Sequence, residues 1–84
     1  MTEFRNKFHA GQVIRHKRFD YRGVVVGVDQ PWYHVLVHGA HQTTYVAERN
    51  LEPDPSEQPV EHPLLSRYFD KSSDGFYGNS REEN

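Results

Sequence analysis

The sequence contains no cysteine. This absence excludes a disulfide framework, thiolate metal sites and a thiol nucleophile. The chain has 84 residues, of which 35% are hydrophobic, and this is enough for one domain with a modest core. We therefore expect a small domain that is held together by side-chain packing or by self-association.

Long hydrophobic runs are also missing. A membrane-spanning helix needs about 20 consecutive apolar residues, and no stretch of the sequence approaches that length. Residues 1–8 lack the apolar segment of a secretory signal peptide. We expect a cytoplasmic protein.

The chain has no large excess of either charge, because ten Lys and Arg residues face twelve Asp and Glu residues, for a net charge of −2. The distribution is nevertheless uneven. Residues 1–22 hold six basic and two acidic side chains, whereas residues 53–84 hold three basic and seven acidic ones. This asymmetry indicates either a local surface that contacts a polyanion, or basic residues that only protect a solvated sheet edge from aggregation.

Apolar and β-branched residues are concentrated in the first half of the chain, in runs separated by short turn-forming segments. These runs predict four strands, over residues 12–16, 23–28, 32–37 and 43–47. The run 32–37 is apolar on both faces, which is typical of a sheet that curls on itself in so short a chain. Gly23 and Gly27 supply the bends. We predict a mostly β fold that forms a small, partly open β-barrel.

The composition changes after Leu51, because residues 52–59 contain three prolines and three carboxylates. Such a segment is typical of a linker or an extended arm. We therefore predict a barrel domain over residues 1–52, a Pro-rich acidic linker over 53–61, and a C-terminal extension with a flexible tail over 62–84.

The C-terminal extension contains a predicted short helix over residues 63–69, with Pro63 at its first position. Its apolar side chains form one stripe at helical spacing. A helix this short does not persist alone, so we expect the stripe to dock on the barrel or on a partner, including a second copy of the chain. The partner-binding candidates are Leu64, Leu65, Tyr68 and Phe69.

Six histidines raise the question of a metal site. His34, His38 and His41 form the tightest group, but strand spacing separates His34 from His38 by roughly 13 Å, and no carboxylate accompanies them at useful spacing. The sequence also lacks a Gly-rich phosphate loop and a G-x-S-x-G motif. We expect no metal, no cofactor and no enzymatic activity.

The segment 15–22 combines basic and aromatic residues and lies between two predicted strands. Its fixed positive charges suit phosphate groups, and Phe19 or Tyr21 can stack or wedge against bases. Alternatively, the two rings close the barrel mouth and the charges only keep the loop solvated. The DNA-binding candidates in this segment are Arg15, His16, Lys17, Arg18, Tyr21 and Arg22.

Four motifs follow one another along the chain: GQVIRH at residues 11–16, YRGVVVG at 21–27, WYHVLV at 32–37 and TYVAERNL at 44–51. In this order they resemble the YccV/HspQ family, whose domain is called the hemimethylated-DNA-binding domain. The resemblance implies an SH3-like β-barrel. It also implies one of two roles, which are binding of hemimethylated DNA and, in heat-shock-type members, modulation of regulated proteolysis. Many members have a longer insertion between the second and third strands, where this chain has only residues 29–31.

DNA binding is the leading function that this resemblance implies. In that role we expect Arg5 and Lys7 to join the basic loop on the DNA backbone, and Tyr33 or Tyr45 to contact the N6-methyl group of adenine. The alternative is a heat-shock-type interaction module, or proteolysis adaptor, whose apolar stripe or barrel edge contacts a partner such as an ATP-dependent protease. The acidic C-terminal part and the net charge of −2 favour this alternative.

Overall fold

The computed structural model of the protein describes residues 6–56, 58–73 and 75–79. Five strands form one antiparallel sheet in the order β4-β3-β2-β1-β5. Their bounds are β1 Val13–His16, β2 Arg22–Asp29, β3 Trp32–Val37, β4 Thr43–Ala47 and β5 Leu51–Pro53. The four predicted strands and the mostly β fold are thus confirmed. The sheet is open, with β4 and β5 at its edges, and the closed geometry of a barrel remains a prediction.

The fifth strand was not predicted from the sequence. It is only three residues long and ends at Pro53, which lies opposite Ile14 of β1. Proline is tolerated there because β5 is an edge strand, where a missing N–H group breaks no interior ladder. A 3₁₀ turn over Glu48–Asn50 connects β4 to β5.

The two glycines expected to bend β2 have different roles. The β2–β3 register shifts between Val25 and Gly27, so a β-bulge lies at the second predicted bend. Gly23 instead allows the backbones of β2 and β3 to approach, because a Cβ atom at this position would lie 2.5 Å from the carbonyl oxygen of Leu36. One glycine therefore marks a bend and the other a close contact.

Alternating side chains of β1 and β2 build two hydrophobic clusters on opposite faces of the sheet. Ile14 and Val25 belong to the first cluster, whereas Val13 and Val24 belong to the second. The first also contains Phe8, Tyr33, Val35, Val46 and Leu51, with Tyr21 packed against it. The second is covered by Val60, Leu65, Phe69 and Tyr77.

The segment predicted as a Pro-rich linker packs against the sheet instead of extending away from it. Asp54, Val60 and His62 are buried. The backbone N–H of Glu61 donates to Nδ1 of His38, at 2.9 Å, in the turn between β3 and β4. This segment therefore carries the chain across the face of the sheet that the second cluster occupies.

The predicted helix is shorter than expected, because α1 covers only Leu65–Tyr68. It is followed by an unpredicted hairpin of β6, Lys71–Ser73, and β7, Phe76–Gly78. The hairpin docks through its backbone, since the N–H of Tyr77 donates to the carbonyl of Gly11 at 2.6 Å. Among the residues that the structure describes, no helix has the length and apolar character that crossing a membrane requires.

Candidate nucleic-acid interface

A groove of about 320 Å³ lies where the β1–β2 loop meets β4 and the 3₁₀ turn. Most of the rings that line it are exposed to solvent: Phe19 is 69% exposed, Trp32 40% and Tyr45 46%. Large aromatic side chains with this much exposed surface are typical of binding sites rather than of packing. We call this feature the aromatic groove. Its lining residues are His16, Phe19, Tyr21, Trp32, Thr44, Tyr45, Val46, Ala47, Arg49 and Asn50.

One wall of the aromatic groove is the β1–β2 loop, which is organised around the buried ring of His16. Nδ1 of His16 accepts hydrogen bonds from the backbone N–H groups of Arg18, at 3.1 Å, and Phe19, at 3.0 Å. The same ring stacks against Phe19, with centroids 4.7 Å apart, and contacts Tyr21 at 5.0 Å. Burial and the positive charge of Arg18 lower the pKa of His16. The neutral ring therefore holds both aromatic side chains of this wall.

The tip of the same loop depends on Asp20, which has a positive φ of 62°. Asp tolerates this left-handed conformation better than most residues do. The backbone N–H of Asp20 donates to the carbonyl of His16 at 2.9 Å, and its carboxylate pairs with the guanidinium of Arg15. These contacts close the five-residue loop, residues 17–21, between β1 and β2.

The opposite wall is formed by side chains of the β3–β4 hairpin. Trp32 and Tyr45 stack with their rings nearly parallel, at 11°, and with centroids 5.2 Å apart. His34 contacts the ring of Tyr45 at 4.6 Å. The hydroxyl of Tyr45 donates to Asp29 at 2.5 Å, and this hydrogen bond raises the pKa of Tyr45. The wall is therefore a row of stacked rings with its polar end held by a carboxylate.

The 3₁₀ turn closes one end of the groove and is bonded to both walls. The N–H of Glu48 donates to the carbonyl of Pro31, next to Trp32, and the N–H of Lys17 donates to the carbonyl of Asn50, each at 2.8 Å. The carboxylate of Glu48 accepts from Tyr33 and from Nε2 of Gln30, and these hydrogen bonds lower the pKa of Glu48. Arg49 and Asn50 are thereby positioned at the groove.

Two of the predicted DNA-binding arginines are occupied by ion pairs. Arg15 bonds both Asp20 and Glu52, the latter at 2.8 Å. Nε of Arg22 donates to the buried carboxylate of Asp54 at 2.7 Å. The pKa of Asp54, which burial alone would raise, is lowered overall by hydrogen bonds from Arg22 and Ser56. Both arginines therefore have structural partners.

Other predicted cations differ in their surroundings. Lys17 and Arg18 are exposed, and the guanidinium of Arg18 lies 5.9 Å from the ring centroid of Phe19. Lys7 is exposed, and its backbone N–H donates to the hydroxyl of Tyr33 at 3.1 Å. Arg5 lies outside the described residues. The structure thus brings Lys17, Arg18 and Tyr21 to the aromatic groove or its rim, together with Tyr45.

Two predicted contacts require correction. Tyr33 has no exposed surface and packs edge-on against Phe8 in the first cluster, with centroids 5.5 Å apart. His16 is only 4% exposed. Buried rings offer no surface to DNA, so the aromatic contact expected of Tyr33 is available only from Tyr45, and His16 supports the loop without reaching a phosphate group.

The prediction of site residues omitted Trp32, Arg49 and Asn50, and it named Phe19 only as a ring that could stack against bases. Trp32 carried a usable signal, because strand alternation puts it on the opposite face from the core residue Tyr33. Phe19 lies inside the basic segment 15–22, which contains six of the predicted DNA-binding residues. Arg49 and Asn50 carried no local signal, since only the path of the chain after β4 brings them to the groove.

The apolar stripe predicted to bind a partner is largely used inside the chain. Leu65 and Phe69 pack against the second cluster, as expected for docking on the sheet. Leu64 is half-buried, and its N–H donates to Nδ1 of His62 at 3.1 Å. Tyr68, which is 44% exposed, is the stripe residue with the largest accessible surface.

Several histidines have backbone partners instead of metal-like neighbours. Nδ1 accepts a backbone N–H in His16, His38 and His62. Within residues 6–56, 58–73 and 75–79, no three His, Asp or Glu side chains converge in a way that would hold a metal ion.

Comparison with known proteins identifies the family. The chain is 30% identical, over 92 aligned residues, to the mouse (Mus musculus) protein F-box only protein 21. The alignment covers 83% of this chain but only 15% of that protein, so the chain spans a small part of its relative. The model of one family matches residues 6–30 and 29–75. The chain therefore belongs to the family described as "Hemimethylated DNA-binding protein YccV like".

Proposed function

We propose that this chain is a non-enzymatic, cytoplasmic protein that binds DNA through the aromatic groove and its rim. The observation that carries the proposal is the setting of the groove: Arg49 lines it, Arg18 lies beside Phe19 at its rim, and Lys17 precedes Arg18 in the exposed loop. Among the described residues none of the three has a carboxylate partner. Cations without internal partners attract phosphate groups, and exposed rings beside them suit bases. Membership of the family supports DNA as the polyanion.

The expected contribution of the rim cations is measurable. If the three cations each neutralise one phosphate, the logarithm of the DNA-binding constant falls with the logarithm of the salt concentration at a slope of about −2.7. Affinity then drops about fortyfold between 50 and 200 mM salt. Arg15 and Arg22 contribute little to this slope, because their charges are compensated by Asp20, Glu52 and Asp54.

Preference for a hemimethylated site would come from apolar contact with the methyl group. Burial of one methyl-sized group is worth about 0.8 kcal/mol, or about fourfold in affinity. Tyr45 takes over the methyl contact that was expected of Tyr33, because its ring is exposed at the groove. A single copy of this chain would therefore discriminate methylation states by only a few-fold.

The proposal is tested by fluorescence anisotropy on three matched duplexes that carry one adenine-methylation site in unmethylated, hemimethylated and fully methylated form, each over a salt series. The variant R18E/R49E should lose tenfold or more in affinity for all three duplexes. R67E is the matched control, since Arg67 is exposed on α1 and is not among the residues that line the groove. Equal binding by R18E/R49E and R67E would remove the groove rim as the DNA contact.

We also infer that the five strands form the SH3-like, partly open barrel that the family resemblance implies. The lining of the aromatic groove supports this inference, because Tyr21, at the end of the β1–β2 loop, and Thr44 and Tyr45, on the edge strand β4, line it together. The 3₁₀ turn between the two edge strands supports it further, through the bond from Lys17 to Asn50. An experimental structure in which the β1–β2 loop stands away from β4 would contradict it.

A second candidate function is the heat-shock-type interaction module. The match to F-box only protein 21 favours it, because the matched region there is a small part of a much larger protein. Tyr68 is the exposed side chain with which such a module would contact an ATP-dependent protease or a second copy of the chain. The test is degradation of a generic unfolded substrate by such a protease. A rate that does not change when the protein is added would contradict an adaptor role.

A further inference from the structure

We propose that the aromatic groove receives a DNA base that has left the base stack, rather than the edge of a paired base. The inference rests on the proposed function and specifies its ligand. A base inside a duplex presents only its edge, at the bottom of a DNA groove, and is reached by side chains that protrude from a protein. The aromatic groove of this protein is instead a recess of about 320 Å³, with rings on both walls. A recess of this kind accepts a flat group that enters from outside.

The two walls suit the faces of a base. Phe19 and Tyr21 line the groove from the loop, and Trp32 and Tyr45 line it from the hairpin. The parallel stack of Trp32 on Tyr45 is the arrangement that a further flat ring extends. Every base has a π face, so stacking in this groove does not by itself require a particular base.

The charge of the groove selects against a cationic ligand. Arg49 lines the groove, Arg18 lies beside Phe19, and no Asp or Glu is among the described residues that line it. The nearby carboxylate of Asp29 accepts the hydroxyl of Tyr45. A methylated ammonium group, which also prefers aromatic surroundings, would therefore find no carboxylate among the residues that line the groove. The phosphates that flank an unstacked base would find two guanidinium groups.

Asn50 adds a preference for adenine. Asn50 is one of the residues that line the groove together with the aromatic rings. A carboxamide donates and accepts at once, which matches the N7 acceptor and N6 donor of adenine. N6-methyladenine keeps one N6–H group, so the same pairing is compatible with a methylated base. We therefore expect adenine to bind better than cytosine in the groove.

The experiment uses the full chain and two fluorescein-labelled duplexes that are identical except at one adenine. In one duplex the adenine is paired with thymine, and in the other it faces an abasic site. The anisotropy of the label reports binding. The chain contains a single tryptophan, Trp32, so intrinsic fluorescence reports directly on stacking in the groove. We expect the duplex with the unpaired adenine to bind about tenfold or more tightly, because its base is already free to leave the stack, and to quench Trp32.

Matched variants keep the test specific. Y45A should weaken binding of the unpaired-adenine duplex about tenfold, because one ring of the groove is removed. F19A, which truncates an even more exposed ring, should do the same. Y68A is the control, since Tyr68 is exposed to the same extent as Tyr45 but lies on α1. N50A should abolish the preference for adenine over cytosine at the unpaired position.

The outcomes separate the inference from the proposed function. If both duplexes raise the anisotropy equally and Trp32 fluorescence does not change, DNA binds without base insertion, and only the inference is overturned. If neither duplex raises the anisotropy, DNA binding itself fails and the inference fails with it. Equal binding of unpaired adenine and cytosine would overturn the role of Asn50 alone.

Discussion

The hydroxyl of Tyr33 donates a hydrogen bond of 2.5 Å to Oε1 of Glu48. The same oxygen of Tyr33 accepts the backbone N–H groups of Lys7, at 3.1 Å, and Phe8, at 3.3 Å. One buried hydroxyl therefore connects β3, the 3₁₀ turn and the N-terminal segment. Because Arg49 and Asn50 follow Glu48 directly, this connection also fixes one end of the aromatic groove.

Removal of this hydroxyl should destabilise the protein. We expect Y33F to lower the free energy of unfolding by about 1–3 kcal/mol, because two backbone donors and one carboxylate lose a partner at or near the core. Urea denaturation monitored by circular dichroism measures the change. Y45F is the matched control: its hydroxyl bonds Asp29 at the surface, and we expect a much smaller change in the free energy of unfolding than for Y33F. Equal stability of Y33F and Y45F would contradict the structural role of Tyr33.

The long strands could be predicted from the sequence because β-branched alternation is a local signal. Strands β5, β6 and β7 could not be predicted, since each has only three residues and lacks β-branched alternation. They form because distant segments supply partners: β5 pairs with β1, and Gln12 forms a bridge with Phe76. The burial of Asp54 and Val60 in the Pro-rich segment likewise depends on distant contacts, with Arg22 and with the second cluster.

The candidate site was partly predictable. The spacing of basic and aromatic residues identified the β1–β2 loop, but it did not reveal which cations are available. That depends on carboxylates that are distant in sequence, since Glu52 lies 37 residues from Arg15 and Asp54 lies 32 residues from Arg22. Composition cannot distinguish an arginine that is paired with a carboxylate from one, such as Arg18, that has no carboxylate partner among the described residues. The ion pairs of Arg15 and Arg22 form only when β5 and the segment that follows it have folded beside β1.

The ion pair between Arg22 and Asp54 should hold the segment after β5 on the sheet. The side chain of Asp54 is only 2% exposed. The guanidinium of Arg22 also donates to the carbonyl of Gln58. In R22A the buried carboxylate loses its cation, and we expect a loss of about 2–4 kcal/mol in the free energy of unfolding. Thermal denaturation measures the loss, and limited proteolysis should show faster cleavage within residues 55–59.

K17A is the control for this prediction, because Lys17 is an exposed cation without a carboxylate partner among the described residues. Its melting temperature should match that of the unmodified protein. An R22A variant that melts like K17A and resists the protease would show that the ion pair does not hold the segment.

Protonation of His16 should open the β1–β2 loop. The folded protein lowers the pKa of His16 below its ordinary value of 6.5 through burial and the charge of Arg18. The neutral ring is thus favoured by folding, so its stabilising effect is complete above pH 6.5 and is lost as the pH falls through the lowered folded pKa. A protonated Nδ1 cannot accept the N–H groups of Arg18 and Phe19.

An NMR titration tests the protonation of His16. The ring signal of His16 and the amide signals of Arg18 and Phe19 should move together, with a midpoint below pH 6.5. A His16 midpoint at or above 6.5, or amides that stay fixed through it, would contradict the role of the ring in the loop.

Arg15 and Arg18, three residues apart, should respond differently to loss of charge. Arg18 is exposed beside Phe19 and has no carboxylate partner among the described residues, so R18Q should reduce the magnitude of the salt slope for DNA binding by about 0.9 and leave stability unchanged. Arg15 pairs with Asp20 and Glu52 in a partly exposed setting, so R15Q should lower the melting temperature by a small but measurable amount. The salt slope of R15Q should stay near that of the unmodified protein. The reverse pattern, with R15Q reducing the slope and R18Q reducing stability, would mean that Arg15 leaves its carboxylates to bind phosphate.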